Sequence, residues 1–218
     1  MIQLQHISKV YELDRETTFR ALSDISLTIK DGEMVGVMGP SGCGKSTLMH
    51  IIGLLDRPTS GDIVINEQQA GKLNDDQVSK LRNQTVGFVF QQFNLITKLT
   101  VLENVLLPTV YAQHGFDQNP KEKARALLSR FGIADKVNSY PNKISGGQQQ
   151  RAAIARALIM DPTLILADEP TGNLDSAKGK EILSLLVQLN KEEKRTIVIV
   201  THDPNVAKHT ERIIEMKD

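Results

Sequence analysis

The chain has 218 residues, 40% of them apolar, with Lys plus Arg and Asp plus Glu each totalling 26; that length and apolar supply suit one sizeable folded core. A formal net charge of zero leaves no bulk field to hold nucleic acid or an anionic bilayer, aromatic content of 4% without Trp argues against base-stacking platforms, and a single cysteine, Cys43, excludes an internal disulfide and fits a reducing compartment. The N-terminus has no basic-then-apolar leader pattern and no apolar run approaches roughly 18 residues, so the expectation is a globular protein that stays where it is made, with no direct membrane insertion.

In chain order, Ile2 to Val10 and Leu22 to Ile29 read as strands joined by the polar stretch Glu12 to Arg20. Two strands in succession without a helix predict an antiparallel portion near the N-terminus. Asp31-Gly32 reads as a tight turn into the strand Met34 to Met38, after which Lys45 to Leu55 has helical spacing before Pro58 stops it. Ile63 to Ile65 and Val86 to Phe90 read as short strands, with a helix at Asp75 to Asn83 between them. The stretch from about Val101 to Met160 is mostly helical, punctuated by Pro108, Pro120 and Pro141. Continuous apolar runs return at Leu164 to Ala167 and Thr196 to Val200, as in buried parallel strands, and Ser176 to Lys191 between them carries Ile182, Leu185, Leu186 and Leu189 at helical spacing. The pattern predicts an α/β core with a helical subdomain inserted at 92–160.

Gly39-Pro40-Ser41-Gly42-Cys43-Gly44-Lys45-Ser46 fits G-x-x-x-x-G-K-[ST], placed between a predicted strand and a predicted helix. Glycines let successive backbone N–H groups curl around phosphate oxygens, and the positive end of the following helix points at the same spot. Lys45 is expected to reach the β and γ phosphates and the Ser46 hydroxyl to ligate Mg²⁺. Asp168 and Glu169 end an apolar strand with two acids, an arrangement that suits a positive partner such as phosphate-bound Mg²⁺. The expected division gives Asp168 to the metal and Glu169 to the attacking water as base. His202 likewise stands at the end of a buried strand, on the sheet edge where ligands of open α/β folds bind, within reach of a γ-phosphate or that water. The remaining histidines, His6, His50, His114 and His209, have no motif around them.

A second anion cradle is written into Ser145-Gly146-Gly147-Gln148, at the start of a strong helix. Two cradles with one set of metal and water residues leave two possibilities. Either the chain binds two phosphate groups far apart, or each cradle serves half of a site shared between two copies.

Ser145-Gly146-Gly147-Gln148 resembles the signature of the ABC ATPases, with Ile144 where Leu is usual. Further matches follow the family order: Tyr11 for the aromatic that stacks on adenine, Gly39 to Thr47 for the Walker A loop, Gln91 for the Q-loop glutamine, Asp168 and Glu169 for Walker B, Asn173-Leu174-Asp175 for the D-loop and His202 for the switch histidine. The resemblance covers nearly the whole chain. It implies a P-loop NTPase with a RecA-like core, an N-terminal antiparallel β-subdomain and an inserted helical signature subdomain, all within one ABC ATPase domain spanning 1–218. On this reading 1–91 and 161–218 form the core and 92–160 the helical part.

The implied chemistry is hydrolysis of ATP with Mg²⁺, in a dimer that sandwiches two nucleotides. Glu169, His202, Lys45 and Gln91 take the catalytic roles, and Ser46, Gln91 and Asp168 hold the metal. Tyr11, Gly39, Pro40, Ser41, Gly42, Cys43, Gly44, Lys45, Ser46 and Thr47 bind ATP from one side, and Ser145, Gly146, Gly147, Gln148 and Asp175 from the other. The implied partners are a second copy and a separate transmembrane permease, with no nucleic acid, which places the chain on the cytoplasmic face of the membrane; Gln92 to Val101 is the expected docking surface. Gly53 to Thr59, Gly87 to Leu95 and Pro170 to Asp175 resemble the group containing macrolide-efflux, lipoprotein-release and antimicrobial-peptide exporters. The alternative is a non-transport ABC ATPase acting on DNA or ribosomes, but the fused cassettes, long coiled coil and basic surfaces of that class are absent from this sequence. Relatives usually continue through a glycine turn where this chain ends at Met216-Lys217-Asp218, so a trimmed C-terminal strand is the expectation.

Overall fold

Alternation of apolar residues makes β1 (Ile2–Glu12) a strand with one buried face, Ile2, Leu4 and Ile7 being almost completely covered. The computed structural model describes residues 1–12, 14, 17–112, 116 and 118–217; His114 lies outside them. Among those residues, β1 pairs antiparallel with β2 (Thr18–Ile29) and with β4 (Ser60–Ile65), which pairs in turn with β5 (Gln68–Gln69). β2 starts earlier than its composition indicates. Thr18, Phe19 and Arg20 are exposed and read as loop, yet they pair with Glu12, Tyr11 and Val10 across the strand.

The second sheet is wholly parallel, in the order β6-β7-β8-β3-β9, built from β3 (Met34–Met38), β6 (Val86–Val89), β7 (Leu164–Asp168), β8 (Thr196–Val200) and β9 (Arg212–Glu215). The sequence reading did not place β9, whose pattern is too short and exposed to register as a strand. Its pairing with β3 runs from Val35 opposite Arg212 to Met38 opposite Glu215.

Successive residues of the central strands feed opposite faces. Leu164, Leu166, Val198 and Val200 join one buried cluster with α1 (Lys45–Ile52) and the antiparallel sheet, while Ile165, Ala167, Ile197 and Ile199 join another. That second cluster also takes Val105, Leu128, Ile154 and Leu186 from α3 (Val101–Leu106), α4 (Pro120–Arg130), α5 (Gly146–Leu158) and α6 (Ser176–Glu193). The 92–160 stretch therefore shares its apolar cluster with the parallel sheet.

Local chemistry accounts for most helix boundaries. α1 stops at Ile52, three residues short of the predicted Leu55, because Gly53 caps it and Leu54 turns left-handed at φ 56°. Reciprocal capping boxes start α2 (Asp75–Thr85) from Asn74 and Gln77, α3 from Thr100 and Glu103, and α5 from Ser145 and Gln148. Pro120 opens α4 instead of interrupting a helix, since the first turn needs no N–H from it. The short α7 (Pro204–Ala207) follows β8, capped by Asp203.

Candidate active site

Because β3, β8 and β7 are parallel neighbours, the loops after them open on one edge of the sheet. The phosphate loop, His202 and the Asp168-Glu169 pair converge there around a groove of about 390 Å³. Ser41, Lys45, Ser46, Thr47, Gln91, Asp168, Glu169 and His202 line it, with Gly39, Gly42, Gly44, Val200 and Phe19. Gly44 is the N-cap of α1 at φ 89°, where a side chain would be strained and its Cβ would collide with the carbonyl of Ala21. The Lys45 ammonium donates to the carbonyls of Gly39 at 2.9 Å and Pro40 at 2.6 Å, which holds it over the cradle. Cys43 is buried, its Sγ 3.8 Å from that ammonium.

Glu169 sits at φ 45°, an unfavourable backbone for a side chain of its size, held by its N–H on Val200 O at 2.9 Å. Its carboxylate is aimed by the end of β8. Oε1 accepts from the His202 N–H at 3.1 Å and lies 2.6 Å from His202 Nδ1, and Oε2 accepts from the Thr201 hydroxyl at 3.4 Å. The His202 ring is largely exposed, and with Nδ1 taken, Nε2 is the nitrogen left for a substrate. Burial lifts the Asp168 carboxyl above its ordinary range and Glu169 adds to this, while His50 and Lys45 oppose it. A raised carboxyl beside a second one is an arrangement that a cation could relieve. Asp168, the Ser46 hydroxyl and the Gln91 amide all line the groove and are the hard oxygen donors that could hold Mg²⁺ alongside phosphate. Among the described residues no cluster of three or more His, Cys, Asp or Glu could hold a metal without such help.

Gln91 links the groove to the loop after β7. The side-chain nitrogen of Gln91 lies 2.6 Å from where a Cβ of residue 172 would stand, so Gly172 is needed for that approach, and Asn173 Nδ2 donates to Gln91 O at 3.0 Å. Sequence reasoning missed two residues of α5 that reach the same region. Gln150 is fully buried and donates to Pro170 O at 2.6 Å and Phe90 O at 3.4 Å; the guanidinium of Arg156 donates to the carbonyls of Phe93 and Asn94. The available signal was a glutamine four residues before Ile154, on the apolar face of a predicted helix. Phe19 was missed because it read as loop.

Tyr11 does not line the groove. Its hydroxyl donates to Asp56 Oδ2 at 2.8 Å and also meets the Thr47 hydroxyl, which places it beside the last residue of the loop. Ser145, Gly146, Gly147, Gln148 and Asp175 also lie outside the described residues that line the groove. Ser145 Oγ accepts from Gln148 N at 3.4 Å, Gln148 Oε1 accepts from Ser145 N at 3.0 Å, and Gly147 packs on Lys178. Asp175 caps α6 through Lys178 N at 3.0 Å and pairs with Lys178 Nζ at 2.7 Å, an ion pair that holds its carboxyl below the usual range.

The sequence pattern of the ABC transporter family matches residues 22–172, across the phosphate loop, the signature cradle and the acid pair. The chain belongs to the ABC transporter family. This ABC cassette is 50% identical, over its full length and 94% of the relative's, to an uncharacterized ABC transporter ATP-binding protein, MJ0796, of Methanocaldococcus jannaschii. It is also 50% identical to the macrolide export ATP-binding/permease protein MacB of Syntrophobacter fumaroxidans, of which it spans 30%. A dimeric structure of MJ0796 in a post-hydrolysis state, bound to ADP and Pi, superposes with a TM-score of 0.91 at 47% identity, covering 100% of this chain and 94% of that one. The cassette is accordingly an α/β P-loop ATPase, the ATP-binding and ATP-hydrolysing subunit of an ABC transporter, and the DNA- or ribosome-directed alternative is set aside.

Proposed function

We propose that two copies of this chain close on two ATP molecules, each held in the groove of one copy and capped by Ser145 and Gly147 of the other, and that closure and opening drive a separate membrane permease of the export group. The observation that carries this reading is the separation of the two cradles: Lys45, Asp168, Glu169 and His202 converge on one groove, and the signature residues of the same chain are not part of it. A symmetric pair gives every groove a second cradle. The dimeric state of MJ0796 and its bound ADP and Pi are in keeping with a pair that holds nucleotide.

In this reading the loop N–H groups and Lys45 bind the β and γ phosphates, and Tyr11 takes the base. Ser46, Asp168 and Gln91 would hold Mg²⁺, which when bound would supply neutralisation of phosphate charge. His202 turns Nε2 to the γ-phosphate while Nδ1 stays on Glu169, fixing the carboxylate where it accepts a proton from water. The water oxygen bonds to γ-phosphorus, the bond from that phosphorus to the β–γ bridging oxygen breaks, and ADP and phosphate leave. Gln91, tied to Gly172 and Asn173, and Gln150, tied to Phe90 and Pro170, carry the change toward the helical segment as a rigid-body movement.

A second cavity, of about 620 Å³, between α2, β6 and the 92–160 segment supports a permease surface on this face. Leu55, Phe88, Pro108, Tyr111 and Arg156 line it, and Tyr111 is 74% exposed. The cavity includes Asn94 of the Gln92–Val101 stretch, so the proposed docking surface extends from that stretch into this cavity. Its proposed occupant is a short amphipathic permease helix, whose apolar face would meet Leu55, Phe88, Pro108 and the exposed Tyr111. A protein of this kind works at the cytoplasmic face of the membrane; among the described residues no helix is long and apolar enough to cross it.

A crystal structure of the Glu169→Gln chain grown with ATP and Mg²⁺ tests the reading. It is expected to show Ser145 of one copy against the γ-phosphate held by the other. Ser145 remote from every γ-phosphate, symmetry copies included, overturns it.

A further inference from the structure

Strand β1 presents Lys9 and Tyr11 two residues apart, and therefore on one face, beside the turn after α1 that carries Asp56. The three side chains interlock. Lys9 Nζ donates to Asp56 Oδ1 at 2.7 Å and to Arg57 O at 2.7 Å, Tyr11 donates to Asp56 Oδ2 at 2.8 Å, and the Arg57 N–H donates to Asp56 Oδ1 at 2.7 Å. The same Lys9 ammonium stands 4.8 Å from the centre of the Tyr11 ring. Lys9 is well covered for its type, its side chain 13% exposed against 30% for Asp56.

Two consequences follow from that geometry. The ring cannot turn freely, because its hydroxyl is anchored to Asp56 and meets Thr47 while its face carries the ammonium. A cation on one face also draws π-density toward itself, leaving the opposite face poorer in electrons and better suited to stack on an electron-rich ring. Burial pushes the Tyr11 hydroxyl up and Asp56 adds to this, so the phenol stays protonated and keeps donating. Burial works against ionisation of Asp56 as well, but the bonds from Lys9, Tyr11 and the Arg57 N–H outweigh it and hold the carboxyl below its usual range.

We propose that Lys9 and Asp56 are positioning residues for base recognition: together they form a socket that fixes Tyr11 with one face covered by the ammonium and the other offered to a purine. The inference rests on the reading that Tyr11 takes the base of ATP, and it extends that reading to how the affinity and the preference for purines are set. Neither residue touches the nucleotide. Lys9 acts through the ring and Asp56 acts through both.

The test measures dissociation constants of ATP, CTP and inorganic tripolyphosphate, with Mg²⁺, for the full chain and for Lys9→Met, Asp56→Asn, the double variant and Tyr11→Ala. Lys9→Met keeps the apolar stem and removes the charge. Tyr11→Ala is expected to weaken ATP about tenfold, in line with loss of one base stack, and to leave tripolyphosphate unchanged. Lys9→Met and Asp56→Asn are each expected to weaken ATP about threefold to fivefold and to narrow the ATP-to-CTP preference, again without change for tripolyphosphate. The double variant is expected to be no worse than the more severe single one, because the two residues act as a unit.

If Tyr11→Ala binds ATP normally, the base-stacking reading of Tyr11 fails. If Tyr11→Ala loses affinity but Lys9→Met and Asp56→Asn keep both ATP affinity and the purine preference, the socket alone is refuted. Equal losses for ATP and tripolyphosphate in the Lys9 and Asp56 variants would show a general loosening of the loop and also refute it.

Discussion

The two glycine-bearing helix starts of this chain, Gly39–Ser46 before α1 and Ser145–Gln148 before α5, are built from similar parts and used differently. Before α1 the backbone is left-handed at Gly42 and Gly44, no side chain caps the helix, and a lysine, a carboxyl pair and a histidine from neighbouring strands face the loop. Before α5 the helix has a complete capping box, and its start lies outside the groove that those groups line. One cradle leaves its N–H groups to a ligand and is surrounded by reactive groups; the other is stable by itself and offers a finished surface. The contrast teaches that similar helix starts serve different ends, and it is what motivates the proposal that the second cradle completes the groove of a second copy.

The sharpest way to break that comparison is at Glu169. Glu169→Gln is expected to lower the steady-state rate of phosphate release by a hundredfold or more while ATP remains bound and a dimer accumulates in sedimentation; turnover at the normal rate would remove Glu169 from the base role. Next in size is Cys43. Attaching a bulky thiol reagent beside Lys45 is expected to weaken ATP binding at least about tenfold, a loss of about 1.4 kcal/mol, and undiminished binding after complete labelling contradicts the assignment.

Ser145→Asp separates the structural from the functional use of the second cradle. Aspartate keeps the cap acceptor, so the midpoint of thermal unfolding is expected to hold, while its charge repels phosphate and turnover falls about tenfold with ATP affinity of the monomer unchanged. Turnover equal to the parent breaks the two-copy reading.

The smallest expected effect is on stability. Asp168 has its carboxyl raised on folding, so the folded chain binds more protons than the unfolded chain and stability falls as pH rises through the ordinary carboxyl value of 3.8 and beyond. Asp168→Asn removes that loss. In calorimetry without nucleotide the variant is expected to unfold a few degrees higher near neutral pH, the gap closing below about pH 4, while Mg²⁺-dependent ATP binding weakens. A lower melting temperature at pH 7 counts against a strained carboxyl pair.

Much of the site was legible because its chemistry is local. The phosphate loop needs glycines at fixed spacing between a strand and a helix, and Asp168, Glu169 and His202 are polar residues at the ends of buried runs, where period and composition point to them. Phe19 escaped because cross-strand pairing with Tyr11 extends β2 into a stretch whose own composition reads as loop. Gln150 and Arg156 escaped for a related reason. Each satisfies backbone carbonyls about 20 to 63 residues away in sequence, and no helical pattern reports such partners.

The sequence by itself determined most strands and helices of the core, β9 and the start of β2 excepted, and the family motifs, since these depend on short-range periodicity, capping and turn chemistry. Only the tertiary structure decided that β3, β8 and β7 lie side by side, so that three distant loops share one edge. It also decided that the signature start lies outside the lining of that groove, and that Tyr11 is held by Lys9 and Asp56. The reason is physical: strand order and the meeting of side chains far apart in the chain are settled by burying two faces of one sheet at once, a condition that no single segment expresses.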